Sequence, residues 1–143
     1  MTTSKASAIW QGGLKTGKGT IAAGSGAFQG AYSFSTRFEG ARGTNPEELI
    51  AAAHAACLSM ALAAGLEKAG TPAKEISTTA SCTIEAAAGG LKITRMKLVV
   101  HGTVPGIVQA TFSKAAEDAK NGCPVSNALK GNVAFELDAL LLE

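Results

Sequence analysis

One apolar stretch constrains the fold more than any other part of the sequence. Residues 49–66 contain no Asp, Glu, Lys or Arg. A run of this length fits either a membrane-spanning helix or a helix in a protein core. We expect a core helix, because the stretch is rich in alanine, contains His54, Ser59 and Gly65, and is flanked by sequence typical of sheet. A helix that is apolar all round is expected to be covered by protein on every side.

The flanking residues predict where this helix begins and ends. Residues 44–45 (Thr-Asn) are candidate caps, and Pro46 suits the first helical position. Glu47 and Glu48 fall in the first turn, where the helix dipole favours negative charge. Gly70 is a natural residue just past a helix end. The helix is therefore expected to run from Pro46 to about Gly70.

The remaining segments predict two groups of strands and a second helix. Short apolar or β-branched runs broken by glycines predict an antiparallel meander, at residues 9–10, 20–21 and 32–38. Alternation over 76–84, a Gly-Gly turn at 89–90 and a returning run at 91–100 predict a long hairpin. A helix is expected at about 111–120, a short helical turn after Cys123, and a last strand at 133–137. This order predicts an α+β fold, with antiparallel sheets around a long central buried helix, in one domain spanning residues 1–143.

Composition narrows the functional classes. The apolar fraction is 46% but the aromatic fraction only 5%, so the core must be built from small aliphatic residues, and help from a second subunit is plausible. The net charge of +2 is dispersed, with no basic run that could follow a phosphate backbone, so we expect no nucleic-acid partner. The N-terminus lacks the apolar region of a secretory signal, so a cytoplasmic location is expected.

The three cysteines decide the function, since a structural disulfide framework is not expected in a reducing compartment. Cys57 lies mid-helix, where the dipole alone lowers a thiol pKa only a little, and an inert core residue is a strong alternative. Cys123 lies between Gly122 and Pro124 at a predicted helix end, where the backbone turns. Cys82 shares a strand face with apolar residues and is expected to be a small core residue.

A metal site is a further alternative for these residues. His54 and Cys57 share a helical face, which suits either ligation or proton transfer, and Cys123 would be a third ligand. No paired metal-binding motif is present, and a lone histidine in an alanine-rich helix is more often a hydrogen-bonded core group. We therefore expect no metal and no other cofactor.

Four motifs together resemble one known family. They are Tyr-Ser-Phe-Ser-Thr-Arg-Phe-Glu-Gly at 32–40, Gly-Thr-Asn-Pro-Glu-Glu-Leu-Ile at 43–50, Ala-Ala-His-Ala-Ala-Cys at 52–57 and Gly-Cys-Pro-Val-Ser at 122–126. In residues and spacing they resemble the OsmC/Ohr family of osmotically induced and organic hydroperoxide resistance proteins, and the OsmC branch more closely. The resemblance covers nearly the whole chain.

The resemblance implies a set of roles. It implies a peroxidatic Cys57, a resolving Cys123, an activating Arg37 and a carboxylate partner at Glu47, in an intertwined homodimer. Cys57 thiolate would reduce an organic hydroperoxide and become sulfenic acid, and Cys123 would condense with it to a disulfide. An external dithiol would then restore both thiols, and the family suggests a lipoylated protein as donor. Apolar lining that includes Met60 is expected to favour organic peroxides over hydrogen peroxide.

The position of Glu47 needs a separate explanation. Ten residues of continuous helix would separate it from Cys57 by about 15 Å along the axis. Either the helix breaks near its start, or Glu47 acts by orienting Arg37 through a bidentate pair, an arrangement that a subunit boundary would also permit. We favour the second, with Glu48 as the alternative carboxylate.

Two other functions remain open. A non-catalytic binding protein of the same fold would hold an apolar or acidic small molecule in an interface cleft, with Cys57 in its wall. A redox sensor would pass its disulfide to a partner protein. Two thiols lost per subunit on peroxide titration would favour the peroxidase over the binding protein, and poor turnover with small dithiols would favour the sensor.

Overall fold

The first part of the chain builds a small antiparallel sheet. The computed structural model describes residues 1–142 and divides them into two compact units, one of residues 1–49 and one from Ile50 onward. In the first unit, β1 (Ala6–Gln11) pairs with β2 (Lys18–Ala23), and β2 pairs with β3 (Gln29–Tyr32), all antiparallel. The predicted meander is confirmed for these strands.

The prediction of a strand through residues 32–38 is wrong beyond Tyr32. The chain instead forms a short helix, α1 (Phe34–Phe38), which a capping box initiates. The Thr36 amide donates to Ser33 Oγ at 3.2 Å, and the Ser33 amide donates to Thr36 Oγ1 at 2.8 Å. Aromatic and hydroxyl residues favour strands by composition, but the three-residue spacing of Ser33 and Thr36 satisfies the free amides of a first helical turn.

The long helix forms where it was predicted. It is α2 (Pro46–Lys68), and the Glu48 amide donates to Asn45 Oδ1 at 2.8 Å, so Asn45 caps the helix. Gly70 takes a left-handed φ of 84°, which suits the residue that ends a helix. Both predicted boundaries are confirmed.

The expectation that α2 is covered on every side is wrong for the single chain. One face is buried, at Ala51, His54, Leu58, Leu62 and Leu66. The other face is exposed and apolar, and we call its residues the α2 outer face: Ala53, Ala56, Met60, Ala63 and Ala64. α2 is long and apolar enough to cross a membrane, but the core helix of a soluble protein can have the same length and composition. Within residues 1–142, the single chain therefore covers one face of α2 and leaves the other exposed.

The second sheet is mixed, whereas antiparallel sheets were predicted. The hairpin of β4 (Glu75–Ala87) and β5 (Gly90–Thr103) is confirmed, but β6 (Ala134–Leu141) pairs with β5 in parallel. Parallel neighbours need a long crossover. The helices α3 (Gln109–Gly122) and α4 (Pro124–Leu129) supply it, and they confirm the predicted helix and helical turn. The α+β class is confirmed, while the single domain stays a prediction.

The core of the second unit lies between the buried face of α2, strand β5 and helix α3. Its fully buried members include Leu58, Leu62, Met96, Leu98 and Phe112. Gly102 of β5 leaves the space that the Phe112 ring fills, since a Cβ there would overlap the ring. A close glycine contact of this kind holds α3, and thus its C-terminal end at Cys123, against the sheet.

Candidate active site

A charged pair in the first unit joins α1 to the first turn of α2. Arg37, in the last turn of α1, donates from Nη2 to Glu47 Oε1 at 2.5 Å and from Nε to the same carboxylate at 3.1 and 3.2 Å. Glu47 is 6% exposed and Arg37 33%. Two nitrogens on one carboxylate fix the plane of the guanidinium. The remaining exposed part of this cation is free to meet a second anion.

The loop before α2 is shaped to bring this pair together. Gly43 has a φ of 148°, and a Cβ there would lie 2.6 Å from the Thr36 side chain and 2.8 Å from the Ala31 carbonyl oxygen. The Thr44 amide donates to that same oxygen at 2.9 Å. A side chain at position 43 would therefore push the loop away from α1.

Glu48 has a different partner from Glu47. Its carboxylate accepts a hydrogen bond from Thr44 Oγ1 at 2.7 Å, next to the cap of its own helix. Of the two carboxylates considered from sequence, Glu47 is thus the one paired with Arg37. The helix α2 also runs unbroken from Pro46 to Lys68, so a break near its start does not occur.

An apolar cavity adjoins the guanidinium in the same unit. Its volume is about 270 Å³, and its lining residues are Trp10, Leu14, Tyr32, Ser33, Phe34, Arg37 and Phe38. Arg37 lies over the Phe38 ring, 5.3 Å from its centroid. Trp10 and Tyr32 meet with centroids 5.4 Å apart beside Gly19, whose missing Cβ would contact both rings. The Arg37 guanidinium therefore borders a cavity that is lined mostly by aromatic side chains.

Two thiols meet in the second unit. Cys57 is half-buried on α2, and Cys123 is fully buried at the junction of α3 and α4. Cys123 ends α3 and precedes Pro124, with an extended backbone (φ −65°, ψ 127°) that the proline favours. Each thiol changes the proton affinity of the other, so the two are near neighbours. The fold thus brings together two sulfurs from distant parts of the sequence.

Proton affinity is unequal between the two sulfurs. Burial, followed by the hydrogen bond with Cys123, raises the pKa of the Cys57 thiol. Burial also acts to raise the pKa of Cys123, but hydrogen bonds from Cys57, from the amide and hydroxyl of Ser126 and from the Val125 amide outweigh it and lower that pKa. Within this chain, Cys123 therefore holds negative charge more readily than Cys57.

His54 lies one helical turn before Cys57 and is completely buried. Its Nε2 is 2.7 Å from Ser126 Oγ, and its ring packs edge-on against Phe135. Burial lowers the pKa of this imidazole, so it is neutral at pH 7. His54 is thus a hydrogen-bonded core group, as expected from sequence.

The remaining candidates have structural settings. Cys82 is half-buried on β4 and packs against the core, in agreement with its predicted role. Within residues 1–142, no group of three or more His, Cys, Asp or Glu side chains is placed to hold a metal ion. The alternative set of His54, Cys57 and Cys123 is therefore not assembled as a metal site.

Of the four predicted site residues, the structure pairs Arg37 with Glu47 in the first unit and Cys57 with Cys123 in the second. Sequence reasoning assigned no role to Ser126, although it contacts both Cys123 and His54. The position of Ser126 in the first turn of the helix that begins after Cys123 was the sequence feature that could have indicated this contact.

Comparison with known proteins identifies the family. The family model described as OsmC-like protein matches residues 39–138. The chain belongs to the OsmC family. It is 47% identical over 133 residues to peroxiredoxin OsmC of Escherichia coli K12, covering 92% of this chain and 93% of that protein. It is 36% identical over 100 residues to an organic hydroperoxide resistance protein of Xanthomonas axonopodis pv. citri, covering 68% of each.

Solved structures of OsmC-family proteins share the fold. The OsmC organic hydroperoxide resistance protein of Legionella pneumophila superposes with a TM-score of 0.76 at 25% identity, covering 97% of both chains. OhrB of Bacillus subtilis gives 0.72 at 28% identity, covering 94% of this chain and 97% of that one. The predicted family and its α+β fold are confirmed.

Proposed function

We propose that this protein is a cysteine-based peroxidase that reduces organic hydroperoxides. The observation that carries the proposal is the neighbouring pair of thiols, Cys57 on α2 and Cys123 at the start of α4. Two neighbouring thiols need little movement to become a disulfide, and that disulfide intercepts the sulfenic acid before further oxidation. The names of the relatives, a peroxiredoxin and an organic hydroperoxide resistance protein, support the same activity.

In the proposed cycle, Cys57 thiolate attacks the distal oxygen of the hydroperoxide. The O–O bond breaks, the sulfur becomes sulfenic acid and the alkoxide takes a proton to leave as an alcohol. Cys123 then attacks the Cys57 sulfur; the S–O bond breaks, a disulfide forms and water is released. A dithiol reductant restores both thiols by exchange. No metal or other cofactor takes part in these steps.

Arg37 and Glu47 are proposed to activate this chemistry. The pKa of Cys57 is raised within its own surroundings, so an approaching cation must stabilise the attacking thiolate. Arg37 presents a guanidinium that Glu47 holds in one orientation, and this supports its assignment as that cation, supplied by the same chain or by a partner copy. Glu47 is then a positioning residue.

The aromatic cavity beside Arg37 supports a preference for organic over inorganic peroxides. An alkyl or aryl tail placed there would be removed from water, which would strengthen binding by about 0.8 kcal/mol per methylene. Hydrogen peroxide has no tail to bury. Met60 was expected to contribute to the lining, but it is 75% exposed on the α2 outer face, and we assign it to the interface proposed next.

The α2 outer face supports assembly as a homodimer. Its residues are apolar and contiguous on a helix, and all but Met60 are alanines, whose small side chains let two surfaces approach closely. A second copy of the chain would cover them, as the sequence expectation of a fully covered helix requires. A dithiol donor, such as a lipoylated protein, and a cytoplasmic location complete the proposal.

Peroxide consumption by cysteine variants tests the proposed function. Purified wild type, Cys57→Ser, Cys123→Ser and the matched control Cys82→Ser would be given cumene hydroperoxide or hydrogen peroxide with dihydrolipoamide. We expect Cys57→Ser to be inactive, Cys123→Ser to stop after limited turnover, and Cys82→Ser to match wild type. Equal turnover of the two peroxides would contradict the substrate preference, and an active Cys57→Ser would contradict the mechanism.

A further inference from the structure

A row of polar groups extends from the sulfur pair into the core, and its two members beyond the sulfurs, Ser126 and His54, have no role in the cycle above. It runs from Cys57 to Cys123, from Cys123 to Ser126, and from Ser126 to His54. Cys123 and His54 are fully buried and Ser126 is 3% exposed. Polar groups in such a position are stabilised only when their hydrogen bonds are arranged consistently.

The direction of these hydrogen bonds follows from the proton count. The neutral imidazole carries one ring proton, and Nδ1 has no hydrogen-bond partner among residues 1–142. The proton is favoured on Nε2, where Ser126 Oγ accepts it at 2.7 Å. An N–H at Nδ1 would instead be a buried donor left unsatisfied. Having accepted from His54, the Ser126 hydroxyl has its own proton available to donate to Cys123.

The groups that face Cys123 are all donors in this arrangement. Cys57 approaches from α2, the amides of Val125 and Ser126 come from the first turn of α4, and the Ser126 hydroxyl is oriented from behind by His54. Hydrogen bonds to an anion favour the charged form of the acceptor. The lowered pKa of Cys123 agrees with this geometry.

We propose that His54 and Ser126 are positioning residues for the resolving sulfur: His54 Nε2–H fixes the Ser126 hydroxyl so that it donates to Cys123 and holds that sulfur as a thiolate. The part this thiolate plays in turnover rests on the proposed function. Once Cys57 is a sulfenic acid, Cys123 thiolate attacks its sulfur, the S–S bond forms and hydroxide leaves. The hydroxide takes one proton from solvent to become water, and no further oxidant is needed. The hydroxyl of Ser126 is released from the sulfur as its charge disappears.

The thiol pKa of Cys123 tests this role without any peroxide. The ¹³Cβ shifts of Cys57 and Cys123 in the reduced protein would be followed separately across a pH series, because they report ionisation of a thiol without requiring a reagent to reach the buried Cys123. We expect Ser126→Ala and His54→Leu to raise the Cys123 pKa by about one unit, a tenfold loss of thiolate near neutral pH. His54→Gln keeps an N–H donor near the Nε2 position and is expected to restore most of the shift.

Ser59→Ala is the matched control. Ser59 also lies on α2 and its hydroxyl is hydrogen-bonded, but to Thr78 and the Ala55 carbonyl. We expect this variant to leave the Cys123 pKa unchanged. An unchanged Cys123 pKa in folded Ser126→Ala would overturn the proposal, and His54→Leu decides the same question if Ser126→Ala fails to fold.

The tautomer of His54 gives a second readout. A purely structural role for His54 would not determine which ring nitrogen carries the proton. Imidazole ¹⁵N shifts of the reduced wild-type protein are expected to show His54 protonated on Nε2. A proton on Nδ1 would reverse the hydrogen bond to Ser126 and overturn the proposal. Both readouts are independent of peroxide, so a protein that fails to reduce hydroperoxides would refute the proposed function while leaving this test of His54 and Ser126 intact.

Discussion

The two units handle charge in opposite ways. The first holds a full cation, Arg37, which stays one-third exposed and is oriented by an almost buried carboxylate. The second holds a half-buried and a buried sulfur, where burial raises the pKa of Cys57 and local donors lower that of Cys123. One region therefore offers a cation beside an apolar cavity, and the other offers a nucleophile whose own surroundings favour its protonated form.

Under the proposed function, this difference keeps reactivity under control. A permanent thiolate at Cys57 would be exposed to unselective oxidation, whereas a thiol that ionises only beside the guanidinium would react only with that cation in place. We infer that Arg37 and Glu47 supply what the helix around Cys57 lacks. The predictions below test whether the two regions depend on each other in this way.

The largest effect is expected from a charge on the α2 outer face. Ala64→Glu places a carboxylate on the surface that a second copy is proposed to cover, two turns from Cys57 and thus away from the sulfurs. An uncompensated buried charge costs about 3–5 kcal/mol, enough to dissociate a dimer at micromolar concentration. Light scattering should give a dimer for wild type and a monomer for Ala64→Glu.

The control for this variant is Ala88→Glu, an exposed alanine at the turn between β4 and β5. It adds the same charge and should leave the dimer intact. A dimeric Ala64→Glu protein would place the interface between copies elsewhere on the chain.

Removing the cation should have the next largest effect. Arg37→Met keeps most of the side-chain length but removes the charge that is proposed to stabilise the Cys57 thiolate. Loss of one such stabilising group typically lowers the rate by about 10²-fold, equivalent to about 2.7 kcal/mol. The measurement is kcat/KM for cumene hydroperoxide.

Lys15→Met is the matched control, because Lys15 also lies over an aromatic ring, that of Phe34, in the same unit. Its removal should change kcat/KM little. If the two variants lost activity equally, the guanidinium would have no special place in the reaction.

Glu47→Gln should have a smaller effect than loss of the cation itself. The amide keeps one acceptor oxygen but loses the charge, so Arg37 is held less firmly. We expect kcat/KM to fall about tenfold, or about 1.4 kcal/mol. Glu48→Gln is the adjacent control, since Glu48 is hydrogen-bonded to Thr44 instead, and its activity should stay close to that of wild type. The opposite ranking of the two variants would assign the carboxylate role to Glu48.

The smallest effect concerns stability in the second unit. Burial lowers the pKa of His54, so the unfolded state binds a proton more readily than the folded state. The free energy of unfolding should thus be at its full value above pH 6.5 and fall as the pH drops through and below that value. Urea unfolding at pH 7.5 and 5.5 should show this loss in wild type and a smaller one in His54→Gln. His101→Gln, at an exposed histidine of β5, should keep the wild-type loss.

Some of these features were predictable from sequence because they are local. The boundaries of α2 follow from Asn45, Pro46 and Gly70, and the long hairpin follows from its alternation and its Gly-Gly turn. The strand predicted through residues 32–38 was wrong because composition was weighed above the capping box of Ser33 and Thr36. At the start of α2 and in α1, short-range hydrogen bonds from the capping residues determine the structure.

Other features depend on long-range packing that a single sequence does not reveal. The parallel pairing of β6 depends on where the crossover helices dock. The contact between Gly102 and Phe112, which holds α3, is not marked by any sequence pattern. The hydrogen bond between Ser126 and His54 joins residues on two different helices, and only the fold brings them together. The pairing of Arg37 with Glu47 was anticipated through the family resemblance, whereas helix geometry alone left two alternatives.

The most direct test of the account is the covalent fate of the sulfurs after a single oxidation. Reduced protein would be treated with one equivalent of cumene hydroperoxide, blocked with an alkylating agent and mapped by mass spectrometry. We predict the loss of two thiols per chain, one disulfide between Cys57 and Cys123, and an unmodified thiol at Cys82. Oxidation that leaves Cys57 and Cys123 as separate thiols, or that links Cys57 to Cys82, would contradict it.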